Sequence, residues 1–276
     1  MPKIFWWRGY AYDIIDNMET IIEVKDLRKS FKSRKSTNEV LKGVNFQVNK
    51  GQVFSLLGSN GAGKTTIVRI LATLLKSDSG EIKICGHDLI KEPNKVRECI
   101  SLTGQYAAVD EMLTGRENLH LVARLRHLKD YKVRIDELLE MFELTKAADK
   151  LVRTYSGGMR RKTDIAMSLL GSPQIIFLDE PTTGLDPQSR LSLWKIIEDL
   201  KDAGTTIFLT TQYLEEAERL ADFVAVLDKG VIVSSGTPRE LKEGLKNQAS
   251  YEYEKDMPTL EDVFLSIVKK KEAKND

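Results

Sequence analysis

From Ile21 onward, short apolar runs alternate with longer stretches in which apolar residues recur at helical spacing. Runs of four to eight residues rich in β-branched and aromatic side chains read as buried strands, and recurrence at three and four residues reads as amphipathic helix. IIEVKDL (21–27) and VNFQVNKGQVFSLLG (44–58) are strands with a turn at NKG; TTIVRILATLL (65–75) is a helix. The stretch from about Pro93 to Lys150, with ENLHLVARLRHL and RIDELLEMFEL, is patterned as helix. IIFLD (175–179), TTIFLT (205–210) and FVAVLD (223–228) return to strand, and DKG (228–230) is a turn before VIVSSG. Asp186 before Pro187 caps a helix over LSLWKIIEDL, and Thr259 with Asp262 resembles a capping box ahead of VFLSIVKKK. Strands alternating with helices specify an α/β fold with a largely parallel sheet.

Bulk composition narrows the picture without supplying chemistry. The 276 residues carry 42 Lys and Arg against 41 Asp and Glu, so no overall field draws the chain to nucleic acid or an anionic membrane. The basic run RKSFKSRK (28–35) reads as a solvated loop. Cys85 and Cys99 fit no metal or disulfide spacing, which points to a reducing cytoplasm, and the three histidines are ungrouped. No apolar run approaches the roughly 18 residues that span a bilayer. MPKIFWWRGYAYDIIDNMET has too short an apolar run for a secretory signal. Its aromatics suit an interfacial anchor; the simpler reading makes Met18 the true start and 1–17 an upstream or disordered lead.

Three segments carry candidate chemistry. GSNGAGKT (58–65) fits G-x-x-x-x-G-K-[ST] and lies between an expected strand and helix. Its backbone N–H groups, from Gly58, Ser59, Asn60, Gly61, Ala62 and Gly63 into Lys64, Thr65 and Thr66, curl around phosphates at a helix N-terminus. Lys64 reaches the β- and γ-phosphates and the Thr65 hydroxyl binds Mg²⁺. QIIFLDEP (174–181) ends a strand, expected beside the one that leads into the glycine loop, in two carboxylates: Asp179 to hold Mg²⁺ and Glu180 to polarise a water. YSGGMRRKTDIAMSLL (155–170) places Ser156, Gly157 and Gly158 at a second helix start suited to an anion. A nucleotide has one γ-phosphate to share between two such sites, so the second either serves a neighbouring molecule's nucleotide or is an ordinary Ser-capped helix start.

GSNGAGKTT, Gln105 in SLTGQYAAVDE, YSGGM, IIFLDEPTTGLDP and TTQYLEEAE occur in the order found in the nucleotide-binding subunits of ABC transporters, and over about 21–240 the chain resembles that family. SLTGQYAAVDEMLTGRENL, RTYSGGMRRKTDIAMSL and TLEDVFL are most similar to the daunorubicin-resistance type of multidrug exporter ATPase. The resemblance implies a P-loop ABC ATPase with a mixed sheet core and an inserted helical subdomain at about 93–165. Residues 1–20 are then an N-terminal extension, 21–245 the ATPase domain and 246–276 a tail with a short helix.

It further implies a head-to-tail homodimer with two composite ATP sites, each shared between one phosphate loop and the partner's SGG segment. Gln105 would contact the metal and water and sense a separate membrane permease docked around Tyr106–His127. Asp186 would lie across the dimer, and Phe31 would stack on adenine unless it is a core residue. Gln212 occupies the position where the family usually has histidine; its amide can donate to a phosphate oxygen but carries no charge. YSGGM departs from the commoner LSGGQ at Tyr155 and Met159, which puts partner contacts in question more than nucleotide contacts.

The implied function is ATP hydrolysis, with ATP and Mg²⁺, driving export of drugs or other amphipathic compounds from the inner face of the cell membrane, with no nucleic acid partner. The alternatives are a soluble ABC ATPase acting on nucleic acid, ribosomes or cofactor assembly, and a catalytically weak nucleotide-binding module, the latter suggested only by Gln212.

Overall fold

The computed structural model describes residues 19–32, 36–248 and 259–260, with the side chains of 245–248 left out. Among the described residues, ten strands form two sheets. The larger has the order β10-β9-β3-β8-β7-β6 and comprises β3 (Val53–Leu57), β6 (Ile100–Thr103), β7 (Ile175–Asp179), β8 (Thr206–Thr211), β9 (Phe223–Asp228) and β10 (Val231–Gly236). All its neighbours are parallel except β9 and β10. The smaller is antiparallel, order β2-β1-β4-β5, built from β1 (Thr20–Lys32), β2 (Thr37–Asn49), β4 (Ser79–Ile84) and β5 (His87–Asp88).

A parallel strand covered on both faces reads as a continuous apolar run, yet its alternate side chains feed different cores. Ile176, Leu178, Ile207 and Leu209 enter one core with Trp194, Leu138 and Ile165 from the helices. Ile175, Phe177 and Phe208 enter the other with the antiparallel sheet and the helix after the glycine loop. There Phe208 lies 5.1 Å from Phe54 and 5.4 Å from Phe177, centroid to centroid. The helices are α1 (Lys64–Leu71), α2 (Pro93–Cys99), α3 (Gly115–Leu125), α4 (Tyr131–Met141), α5 (Gly157–Ser168), α6 (Pro187–Asp202), α7 (Leu214–Leu220) and α8 (Pro238–Gln248).

Several expectations are corrected. β8 lies between β3 and β7, so the carboxylate-bearing strand is not beside the strand that enters the glycine loop. The stretch from Pro93 is not continuously helical: ISLT forms β6, a four-residue core strand too short for its period to register against the flanking helical pattern. Residues 28–32 are not loop but the second half of β1, where Arg28 pairs with Asp26 and Lys29 with Asp78. α8 crosses the boundary expected at 245/246. The expected terminal helix over 263–271 and the N-terminal lead lie outside the described residues.

Phe208→Ala removes a fully buried ring from the central stack; urea unfolding is expected to show a loss of about 3–5 kcal/mol.

Candidate nucleotide site

β3 is buried to its last residue and stops at Gly58, whose N–H donates to the Thr211 carbonyl at 3.2 Å, tying the glycine loop to the end of β8. The loop turns into α1 through Gly63 at φ 114, a left-handed conformation where a Cβ would also meet Leu41 at 2.8 Å. α1 thus begins at Lys64, with Thr65 and Thr66 in its first turn. Ser59, Asn60 and Gly61 are exposed at the loop tip, and Ala62 is buried beneath it.

Lys64 is buried and folds over the loop: its Nζ donates to the carbonyls of Gly58 at 2.8 Å and Ser59 at 3.1 Å, and lies 3.1 Å from Glu180 Oε1. Glu180 is itself 8% exposed and has φ 49, a left-handed backbone seldom taken by a glutamate. Its N–H donates to both the carbonyl and the hydroxyl of Thr210, each at 3.1 Å, which holds the bend after β7 in place. Strain of this kind, over-determined by its surroundings, clusters at functional sites. One residue earlier, Asp179 Oδ1 accepts from Thr210 Oγ1 at 2.5 Å and from Thr65 Oγ1 at 3.4 Å. Phosphate loop and paired carboxylates therefore meet directly, Lys64 with Glu180 and Thr65 with Asp179, while Thr210 of β8 ties the two acidic residues together.

The donor set suits a hard divalent cation. A hydroxyl and a carboxylate converge where phosphate oxygens would arrive, and Mg²⁺ is ordinarily held by one or two protein oxygens plus substrate phosphates and waters. Among the described residues there is no cluster of three or more His, Cys, Asp or Glu that would form an all-protein cage.

The other expected residues stand apart from this cluster. Ser156 caps α5, accepting from Met159 N at 3.2 Å, and Asp186 caps α6, accepting from Ser189 N at 2.9 Å and Ser189 Oγ at 2.6 Å, bonds that hold its carboxyl below the ordinary range. Gly158 packs against Ser189, so the two caps belong to one surface; a Cβ there would meet Ser189 Cβ at 2.8 Å. Ser156, Gly157 and Asp186 are exposed. Among the described residues no hydrogen bond or ion pair joins them to Lys64, Asp179 or Glu180. Gln105 is exposed on the loop after β6, and Gln212 is half-buried one residue past β8. Phe31 is 44% exposed, with Lys29 Nζ 5.6 Å from its ring centroid, which overturns the core alternative. Tyr155 is not at a partner surface: it is 3% exposed, and its hydroxyl donates to the Ala147 carbonyl at 2.6 Å.

Sequence reasoning missed Thr210, Thr182, Glu216 and Arg161. Arg161 Nε donates to the Pro181 carbonyl at 3.0 Å. Its signal was available: positions 158, 161 and 165 share one face of α5, and the other two are small or apolar. Glu216, fully buried in α7, accepts from Thr182 Oγ1 at 2.8 Å and Trp194 Nε1 at 3.0 Å. Burial pushes its carboxyl above the ordinary range, opposed by bonds from Thr211, Thr182 and Trp194.

The comparisons with known proteins agree with this geometry. The ABC transporter family model matches residues 41–183. This chain is an ABC ATPase. A daunorubicin resistance ATP-binding protein of Streptomyces coeruleorubidus is 50% identical over 226 residues, covering 81% of this chain and 70% of that relative. An ATP-binding subunit of an ABC transporter superposes with TM-score 0.77 at 29% identity, covering 90% of this chain and all of that one. A dimeric ATP-binding cassette in a post-hydrolysis state, bound to ADP and Pi, superposes with TM-score 0.72 at 25% identity, covering 79% of this chain and 98% of that one. The α/β fold, ATP binding, ATPase activity and place among transporter subunits follow from the family. The soluble, non-transport alternative gains no support from these relatives. Among the described residues no helix is long and apolar enough to cross a membrane.

A carboxyl whose pKa is raised on folding favours the native state most at low pH, and that advantage is lost as pH rises through the folded value. Glu216→Gln removes the titration. Its Tm relative to wild type, followed by thermal melts from about pH 4 to 8, is expected to climb steadily with pH.

Proposed function

We propose that this ABC ATPase powers export of drug-like amphipathic compounds through a separate membrane permease, hydrolysing Mg²⁺-ATP at two composite sites of a homodimer and lying on the inner face of the membrane. The observation that carries the chemistry is the buried apposition of Lys64 and Glu180 at 3.1 Å beside the Thr65–Asp179 pair. The 50% identity to a daunorubicin resistance protein supports the cargo class. Exposure of Ser156 and Gly157 away from the Lys64 cluster supports their use in trans, where they and Asp186 complete the nucleotide site of the other subunit. Phe31, half-exposed ahead of the glycine loop, is the surface on which adenine stacks.

Phosphate oxygens compete with the carbonyls of Gly58 and Ser59 for the Lys64 ammonium. As Lys64 turns to the β- and γ-phosphates, Glu180 loses its cationic partner and is left to accept a proton from water. The water oxygen bonds to the γ-phosphorus as the bridging oxygen leaves with ADP. Gln212 donates from its amide to a γ-phosphate oxygen and holds the water in line; it positions but adds no charge. Thr65, Asp179 and Gln105 would hold Mg²⁺, and the ion would supply charge neutralisation on the phosphates. The permease docks beside Gln105 over Tyr106–His127, where Tyr106, Met112, Leu121 and Leu125 are 84, 68, 43 and 70% exposed.

Glu180→Gln is expected to reduce turnover by on the order of 10²–10⁴-fold while ATP binding persists, and to form an ATP-dependent dimer in light scattering. Turnover equal to wild type removes Glu180 from the role, and a monomer at saturating ATP removes the homodimer. Gln212→Ala should slow steady-state hydrolysis by roughly five- to tenfold, the value of one lost hydrogen bond; an unchanged rate would make the amide a bystander.

A further inference from the structure

α5 carries a buried ion pair inside the charged run RRKTD. Arg161 and Asp164 are 5% and 6% exposed, with Nη1 3.4 Å from Oδ2. Burial lowers the pKa of the guanidinium and raises that of the carboxyl, so neither charge is held for the attraction alone. Buried charges survive when their remaining hydrogen-bonding capacity is satisfied, and here the partners lie in two segments far apart in the chain. Arg161 Nε donates to the Pro181 carbonyl at 3.0 Å and Nη2 to the Asp179 carbonyl at 3.3 Å, gripping the main chain on either side of Glu180. Arg161 Nη1 also donates to the Gly104 carbonyl, and Asp164 Oδ1 accepts from Ala108 N at 3.1 Å. The loop 104–108 is therefore held at both ends, with Gln105 and Tyr106 exposed between the two anchors.

We propose that Arg161 and Asp164 are a positioning pair that transmits displacement of the exposed Gln105–Tyr106 loop to the backbone of Glu180, so that a protein bound at that loop sets the rate of hydrolysis. The proposal rests on the reading of Glu180 as the base. A guanidinium is planar and rigid, and its donors diverge at fixed angles. It cannot follow the Gly104 carbonyl without changing its hold on Asp179 and Pro181. No ladder bond runs between those two segments at this point, because β6 ends at Thr103 and β7 at Asp179. Glu180 is already at a left-handed φ, where a small movement of the flanking carbonyls redirects the side chain. Lysine at position 161 would carry the charge but could not hold three carbonyls in one plane.

The decisive variant is Asp164→Ala in the full chain, since Asp164 bonds Arg161 and Ala108 but makes no bond to Lys64, Thr65 or Glu180. Hydrogen exchange is expected to accelerate by about tenfold in both 104–108 and 179–183. kcat is expected to fall roughly fivefold or more with KM for ATP held within about twofold. Lys162→Gln, which removes a neighbouring surface pair with Glu143, leaves all of these at wild-type values. Release of 104–108 with kcat and 179–183 unchanged overturns the coupling. If Asp164→Ala does not fold, Arg161→Lys is measured in the same way: a fall in kcat with faster exchange in both segments supports the link, and wild-type turnover overturns it. Failure of the underlying reading is separable: it would appear as turnover that survives Glu180→Gln, whereas paired exchange in the two segments reports on the link whether or not Glu180 is the base.

Discussion

Two buried charges of opposite sign, Lys64 and Glu180, face each other across the carboxyl ends of the parallel sheet. Desolvating such a pair costs several kcal/mol per ion unless geometry and further hydrogen bonds compensate. Much of the local structure supplies that compensation. Two loop carbonyls take the remaining protons of Lys64, and Thr210 holds the Glu180 backbone through both its carbonyl and its hydroxyl. In the proposed mechanism, phosphates entering the loop offer Lys64 a better partner than either carbonyl, and the same exchange frees the carboxylate.

The arrangement depends on rigid placement by apolar cores. β3, β7 and β8 are buried along their whole lengths, and both faces of the sheet are covered. The polar groups that meet in the site, Asp179, Glu180 and Thr210, stand where the strands end, which is where open α/β sheets place their ligands. Around that edge a second ring of buried polar contacts ties the catalytic turn to its neighbours: Glu216 joins it to α6 and α7, and Arg161 with Asp164 joins it to the loop after β6.

The order of motifs, the glycine loop between strand and helix, the acidic pair closing an apolar run and the two helix caps at Ser156 and Asp186 were all legible from local pattern. Each is written in a few consecutive residues, where phosphate chemistry and helix capping impose fixed spacing. β6 was hidden because four residues are too few to show a period. The Phe31 alternatives could not be separated by pattern, since one aromatic in a strand reads alike whether it faces the core or water.

Sequence by itself determined which residues can meet phosphate, hold a hard cation or accept a proton, since those capacities belong to side-chain type and to spacing along a few bonds. Only the tertiary structure decided that β8 lies between the two motif-bearing strands, that Thr210 bonds both Asp179 and Glu180, and that Glu216, Arg161 and Asp164 are buried rather than solvated. Those facts depend on which strands pair and which helix faces are covered. Strand pairing and burial are long-range choices made by the packing of two cores, and no local stretch of the chain encodes them.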